Sequence, residues 1–320
     1  MSTIKDVALK AGVSISTASY ALNDVPNVHP KTKERILKAA QDLNYSPHFS
    51  ARHLKTKKTG NIGVFIYGFS GPVFSDILEG IRQTLQSFKY NIVVSSGKAS
   101  ESFIREKQVD GAIIFDANLT TDLIRPIADK GMPMIFLDRE DTGTNMYQHT
   151  IDNEGLVYQL MSEIIDSKKY QSFGFLSGPD DSFNAIKRYA GFVKALNDHG
   201  IKDHQFYQGD FTIEGGHQVG QTFISQKIKP DFVYCANDES AIGFSQALKA
   251  EGYRLPEDIA IAGFDNFFMT SYMNPSITTI GIDHINWGQQ VATAMIDILR
   301  GFPHDLKETP VGKIYWRASC

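Results

Sequence analysis

Two groups of side chains in this 320-residue sequence have types and spacing suited to chemistry, and in both it is the chemistry of recognition. The first lies at the front. Thr3 and Asp6 stand at capping-box spacing, a hydroxyl at a helix start and a carboxylate three residues on. Ile4, Val7, Ala8 and Ala11 share one helical stripe, and Gly12 suits the left-handed turn that ends it. Ser14 can cap a second helix, whose Thr17, Ala18, Ala21 and Leu22 alternate between surface and core. A helix, a tight glycine turn and a second helix opening on small polar residues make a helix-turn-helix, a unit that reads DNA. The plainer alternative is an αα-hairpin inside a larger core. The second group is scattered: Gly68–Phe74, Asp116, Asp138-Arg139, Ser177–Asn184, Asn237-Asp238 and Asp265-Asn266 each follow an apolar, strand-like run. Ligands of parallel sheets sit outside the carboxyl ends of the strands, where such carboxylates, amides and guanidiniums can meet a polar molecule. No nucleophile elbow, P-loop, Gly-rich dinucleotide signature or Cys/His cluster occurs, so no catalytic residue, metal or cofactor is expected.

The elements that must position these residues are legible as patterns. A third helix is expected from Pro30, a residue favoured at the first helical position, with Ile36, Leu37, Ala40 and Leu43 closing a three-helix core and Tyr45-Ser46-Pro47 ending it. A short basic linker follows, Ser50 to Lys55 and then Lys57-Lys58-Thr59-Gly60. From Asn61 the texture changes. Strand-like runs at 62–67, 91–95, 111–115, 134–137, 172–176, 232–235 and 259–263 alternate with helical patterns at 77–88, 123–130, 156–166, 189–199, 216–225, 241–251 and 290–300. Buried strands alternating with helices predict parallel sheets covered on both faces, and the number of units predicts two doubly wound lobes rather than one sheet.

Charge separates the two parts. Residues 1–58 carry ten Lys/Arg against four acids, or +6, which leaves −10 for the remainder of a chain whose net charge is −4. A basic head on an acidic body predicts a head that meets a polyanion, in a contact weakened by salt. Only two cysteines occur, Cys235 and Cys320, which fits a reducing cytosol rather than a disulfide framework. The start has no apolar signal core, and no uncharged stretch reaches the ~18 residues of a membrane span, so a soluble cytoplasmic protein is expected.

The motifs in their order strongly resemble the LacI/GalR family of bacterial transcription regulators, nearly end to end. They are T-I-K-D-V-A-x-x-A-G-V-S-x-S-T-x-S at the front, Y-S-P-x-x-x-A-R-x-L in the linker, V-D-G-A-I-I-F at 109–115 and F-L-D-R at 136–139. S-G-P and R-Y-A-G-F at 177–192, C-A-N-D-E-S-A-I-G at 235–243, A-G-F-D-N at 262–266, P-S-I-T-T-I at 275–280 and the terminal W-R-A-S complete them. The resemblance implies an all-α helix-turn-helix domain at 1–46, a hinge helix or linker at 47–59, and at 60–320 a two-lobed α/β body like the type I periplasmic sugar-binding proteins. Lobe 1 would hold about 60–152 and 284–308, lobe 2 about 153–283 and 309–320. It also implies a nucleoid-associated homodimer on a palindromic operator, repressing a carbohydrate-utilisation operon under a sugar or sugar phosphate bound between the lobes. A relative sensing a phosphocarrier protein or a non-sugar metabolite is the alternative. A transport-type sugar-binding protein is disfavoured by the missing signal and the basic head.

By the same resemblance, Ile15, Ser16 and Tyr20 would face base edges in the major groove, and Ser14, Thr17, Ser19 and Asn23, with Thr32 and Tyr45, would bond phosphates. Leu54 of each subunit would wedge into the minor groove, flanked by Arg52 and Lys55, or else cap the body domain. The effector would meet Phe74, Asp116, Asp138, Arg139, Arg188, Phe211, Asn237 and Asp265. Phe74 and Phe211 have a core role as the alternative, Arg139 an ion pair with Asp116 or Glu140, and Asp238 is read as the cap of the following helix. The chain departs from its relatives in places. Tyr20 stands where many carry Arg and cannot make the bidentate bond to guanine, and His29 replaces a capping Ser or Thr. The helix between Ser96 and Val109 is a turn or two short, Gly281-Ile282 replaces a polar pair, and Gly71-Pro72-Val73-Phe74 replaces N-P-F-F/Y.

Overall fold

Local signals account for the three helices at the front, α1 (Ile4–Ala11), α2 (Ile15–Leu22) and α3 (Pro30–Asp42). The computed structural model describes residues 2–23, 26, 28–45, 58–69, 71–302, 306 and 309–320. In it the Asp6 carboxylate accepts hydrogen bonds from the backbone N–H and the hydroxyl of Thr3, at 2.7 and 2.8 Å, which lowers its pKa. Gly12 closes α1 with φ 61°, and Ser14 caps α2 by accepting from the Thr17 N–H at 3.1 Å. Pro30 opens α3 behind His29, whose side chain makes no cap. Val7, Ala8, Ala11, Ala18, Ala21, Ile36, Ala39 and Ala40 form the buried centre, mostly alanines that let the helices approach closely. Leu37 was expected there and is instead 47% exposed. At 100° per residue the stripe through 36, 39, 40 and 43 leaves 37 on its flank.

Residues 1–59 and 60–320 are separate compact units. In the second, β1 (Asn61–Ile66), β2 (Asn91–Ser95), β3 (Gly111–Phe115), β4 (Met134–Phe136) and β5 (Met146–Gln148) form a parallel sheet in the order β2-β1-β3-β4-β5. Its connections are α4 (Pro72–Ser87), the short α5 (Ala99–Arg105) and α6 (Thr121–Ala128). The chain then builds a second sheet from β6 (Phe173–Leu176), β7 (Gln205–Tyr207), β8 (Phe232–Cys235), β9 (Ala260–Asp265), β10 (Thr278–Ile282) and β11 (Gly312–Tyr315), in the order β11-β10-β9-β8-β6-β7. Among the described strands of this sheet, only the β10/β11 pair is antiparallel. Helices α7 (Asn153–Asp166), α8 (Phe183–Asp198), α9 (Ile213–Ser225), α10 (Asp238–Ala250) and the one-turn α11 (Met269–Tyr272) belong to this lobe, and α12 (His284–Leu299) returns to pack on α4.

Strands such as β3, buried at every position, are apolar throughout because helices cover both faces. The chain passes between the lobes after β5, after β10 and before β11. Trp287 ties the first two passages together, its Nε1 donating to His149 Nδ1 at 2.9 Å and to the His149 carbonyl at 3.1 Å. One hydrophobic cluster runs through both lobes, from Ile62 and Ile113 to Phe175 and Phe264.

Because the front unit has its own core, Ile36→Ala should cost it about 2–5 kcal/mol. Hydrogen exchange of the full chain should show faster exchange confined to residues 2–45. Equal acceleration in residues 60–320 would contradict two independent cores.

Candidate functional site

On α2 the side chains of Ile15 and Tyr20 are 47% and 41% exposed, with Ser16 exposed beside them. The hydroxyls of Ser14 and Thr17 pair at 2.8 Å, and the Asn23 amide donates to the Ser19 carbonyl at 2.7 Å. Thr32 is half-buried on α3, and Tyr45 is half-buried against the helical core, where burial raises its pKa. Arg52, Leu54 and Lys55 lie outside the described residues.

The second constellation gathers at the carboxyl ends of the two sheets. Arg188, on α8, is 4% exposed. Its Nε donates to Asn153 Oδ1 at 2.8 Å, Nη1 to the Ala236 carbonyl at 2.6 Å and Nη2 to Asp265 Oδ1 at 3.5 Å. The Phe264 ring lies 3.6 Å from its Cζ and the Phe211 ring 6.0 Å away. Asp265 ends β9 with φ 107°, followed by Asn266 at φ 55°. Backbone of this kind in non-glycine residues persists only where its surroundings enforce it. Here Arg317 holds Asn266 Oδ1 at 2.5 Å. Burial pushes the Asp265 carboxyl up to about 6, against the opposing pull of Arg188. Asn237 Oδ1 accepts from the Ser240 N–H at 3.0 Å, capping α10, while its Nδ2 donates to the Phe211 carbonyl at 2.9 Å and fixes that residue at φ 67°.

On the first lobe, Phe74 meets Tyr67 and Phe115 edge-on at 4.9 and 5.1 Å. Asp116 is fully buried. Its Oδ1 accepts from the Asn118 N–H and amide at 3.0 and 2.9 Å, and its Oδ2 has no hydrogen-bond partner among the described residues. Arg139 is spent within the lobe, on the carbonyls of Leu119 (2.8 Å) and Asp116 (2.5 Å) and on Asp138 Oδ1 (2.9 Å). Burial raises the pKa of Asp138, and Arg139 opposes it. Lys187 of the second lobe reaches Glu140 of the first at 3.1 Å.

A helix-turn-helix followed by two such lobes is matched by two family models. Residues 3–48 match bacterial regulatory proteins of the lacI family, and residues 59–317 match the periplasmic binding proteins and sugar binding domain of the LacI family. The chain belongs to the LacI family. It is therefore a DNA-binding transcriptional regulator. Its relatives include the transcriptional repressor PurR of Photorhabdus laumondii, 31% identical over 93% of this chain and 90% of the relative. The transcriptional regulator RegA of Clostridium saccharobutylicum is 30% identical, covering 93% of this chain and 92% of its own. Among solved structures, a lac repressor dimer bound to operator and the anti-inducer ONPF superposes with a TM-score of 0.85 at 27% identity, covering 99% of this chain and 98% of that one. A sugar-binding transcriptional regulator from Enterococcus faecalis superposes with a TM-score of 0.76 at 32% identity, covering 82% and 98%.

Against this LacI-family frame, several sequence expectations change. Asp238 does not cap α10, since Asn237 does. Asp238 instead accepts from the Thr279 hydroxyl and the Phe267 N–H, both at 2.7 Å, tying α10 to β10 and to the loop after β9. Asn237 bonds the Ser240 N–H and the Phe211 carbonyl, and Arg139 bonds two carbonyls and Asp138, so each holds its neighbours in place. Phe74, 5% exposed, is part of the core cluster, and Tyr67, 57% exposed, carries the accessible aromatic face beside it. A Cβ on Gly281 would lie 2.5 Å from the Tyr315 ring and 2.6 Å from Asn266, so a side chain there would require its neighbours to shift. Sequence reasoning missed Tyr67, Asn153, Glu239 and His284. Tyr67 has a local signal, its place at the end of a strand, and Glu239 lies within C-A-N-D-E-S-A-I-G.

An acid whose pKa is higher folded than unfolded holds its proton more tightly when folded, so it destabilises the fold progressively as pH rises through that interval. For Asp265 the interval runs from 3.8 to about 6. The stability of Asp265→Asn relative to the parent should therefore rise by roughly 3 kcal/mol across it and stay level above, as read by urea unfolding at a series of pH values. A difference that does not change with pH would show that Asp265 is not desolvated.

Proposed function

We propose that the chain is a homodimeric, operator-binding repressor of a carbohydrate-utilisation operon, working in the bacterial cytoplasm on nucleoid DNA and catalysing nothing itself. In this reading residues 1–46 read DNA, 47–59 form the hinge and 60–320 bind effector and partner subunit. Ile15, Ser16 and Tyr20 meet base edges, while Ser14, Thr17, Ser19, Asn23, Thr32 and Tyr45 bond phosphates. Leu54 wedges the minor groove between Arg52 and Lys55. A sugar or sugar phosphate sits between the lobes against Tyr67, Arg188, Phe211 and Asp265. The observation that carries the reading is the convergence of Arg188, Asp265, Phe211 and Phe264 in one lobe, with the exposed Tyr67 of the other lobe within reach of the charges of Asp265 and Arg188. Charged forks beside aromatic faces suit the hydroxyls and C–H surface of a sugar ring. The relatives named as sugar-binding and operator-bound repressors support both halves of the proposal.

Coupling of ligand to operator in such switches is typically about 1–3 kcal/mol. Fluorescence anisotropy with a palindromic duplex at low salt should show binding that weakens about a thousandfold or more between 50 and 200 mM salt. Asp265→Ala should leave operator affinity within about twofold and abolish its response to any sugar that shifts the parent by the usual ~5–150-fold. A variant that still responds normally would remove Asp265 from the effector site.

A further inference from the structure

The sequence of α2, I-S-T-A-S-Y-A-L, holds no arginine, lysine, asparagine, glutamine or acid. At 100° per residue, Ile15, Ser16, Ser19 and Tyr20 fall within about 140° of arc, and Ala18 and Ala21 lie on the opposite side, buried. The two alanines pack with Val7, Ala8 and Ile36 in the centre of the front unit. That packing fixes the rotation of α2 and keeps Ile15, Ser16 and Tyr20 outward, where all three are exposed. The polar groups around this face bond one another. Ser14 caps the helix and pairs with Thr17, while the Asn23 amide donates to the carbonyl of Ser19 and, at 3.4 Å, to its hydroxyl.

Each base presents its own set of groups in the major groove. Guanine offers two acceptors, which match the donors of an arginine or lysine. Adenine sets a donor beside an acceptor, which match the amide of an asparagine or glutamine, and cytosine offers a donor to a carboxylate. Thymine adds a methyl group to its acceptor. None of the side chains that pair with guanine, adenine or cytosine in these ways stands on α2, which carries hydroxyls, one aromatic ring and one branched aliphatic chain on its outward arc. A hydroxyl bonds several bases and so discriminates little among them. The aliphatic chain of Ile15 bonds no polar group and gains affinity only where it covers apolar surface.

We infer that Ile15 is a specificity-determining residue that reads the methyl group of a thymine in each operator half-site, so that α2 selects T·A by apolar contact rather than guanine by a charged fork. This rests on the proposal that α2 meets base edges in the major groove. Tyr20, farther round the arc, adds ring surface and one hydroxyl but not the paired donors of an arginine. Covering one methyl corresponds to about a fourfold gain in affinity, or about 15-fold when both half-sites of a palindrome contribute. The contact is uncharged and releases no counterions, so it leaves the salt dependence of binding to the phosphate contacts.

The test starts from a palindromic site that the full chain selects out of a random duplex library. Thymines of that site are then replaced by deoxyuridine, one symmetric pair at a time, and affinity is read by fluorescence anisotropy. Deoxyuridine keeps every hydrogen-bonding group of thymine and lacks only the methyl. At one symmetric pair the parent should bind about 15-fold more weakly, with the slope of log affinity against log salt unchanged. Ile15→Ala should bind the thymine site more weakly than the parent does, and should lose less than about twofold on the same replacement. If no pair costs the parent more than about twofold, the inference is overturned and the operator-binding reading stands. A deoxyuridine loss as large in Ile15→Ala as in the parent overturns the assignment to Ile15. A library from which the chain enriches no site overturns the operator-binding reading itself, and this inference with it.

Discussion

Taking a guanidinium out of water costs several kcal/mol unless its donors are paired again, and the body of this protein is arranged around that requirement at Arg188. Its partners come from three places in the sequence: Asn153 at the start of α7, the Ala236 carbonyl after β8, and Asp265 at the end of β9. Each partner fixes more structure. Asn153 also donates to Asn184 at 2.9 Å, while Ala236 precedes the Asn237 cap that holds Phe211. Asp265 takes an uncommon backbone conformation to reach the guanidinium. The 3.5 Å Arg188–Asp265 pair is the longest of the three contacts.

The same arrangement lets two lobes respond as one. They share a continuous hydrophobic cluster, and the Trp287–His149 hydrogen bonds pin two of the chain passages between them. At the cleft, Lys187 of one lobe pairs with Glu140 of the other. An exposed ion pair of this kind gains little and exchanges readily, whereas the packed cluster does not. A bound molecule that bonds both lobes can thus shift their equilibrium only through the difference in its affinity for the two arrangements.

Much of this was legible in the sequence, for reasons specific to particular residues. Thr3, Gly12, Ser14 and Pro30 fix the ends of α1, α2 and α3 through local hydrogen bonds and backbone geometry. In the body, α4, α8 and α12 begin five or six residues before the apolar periodicity does, at Pro72, Phe183 and His284. Their first turns each bury one apolar residue, Phe74, Ala185 or Trp287, so the core stripe starts there from a single side chain. Ser182 and Asp283, which cap two of them, were the usable signals. The sheet-edge strands β5, β7 and β11 are three or four residues long, too short for a pattern, and were not foreseen. Asp265 and Arg188 stood out because each sits at a strand end or in a family motif. Glu239 lies in such a motif as well, but nothing local in the sequence shows that it comes close to Gly71, or that His284 lies near Arg188.

The account depends most on Arg188 acting as a fork rather than as a charge. Lysine keeps the charge but cannot bond Asn153, Ala236 and Asp265 together in one plane. Calorimetric titration of the full-length Arg188→Lys chain with the sugar that stabilises the parent should show its affinity falling by about 100-fold, with operator binding retained, for a loss of roughly 3 kcal/mol. Unchanged sugar affinity in a folded, operator-binding Arg188→Lys chain would contradict the account.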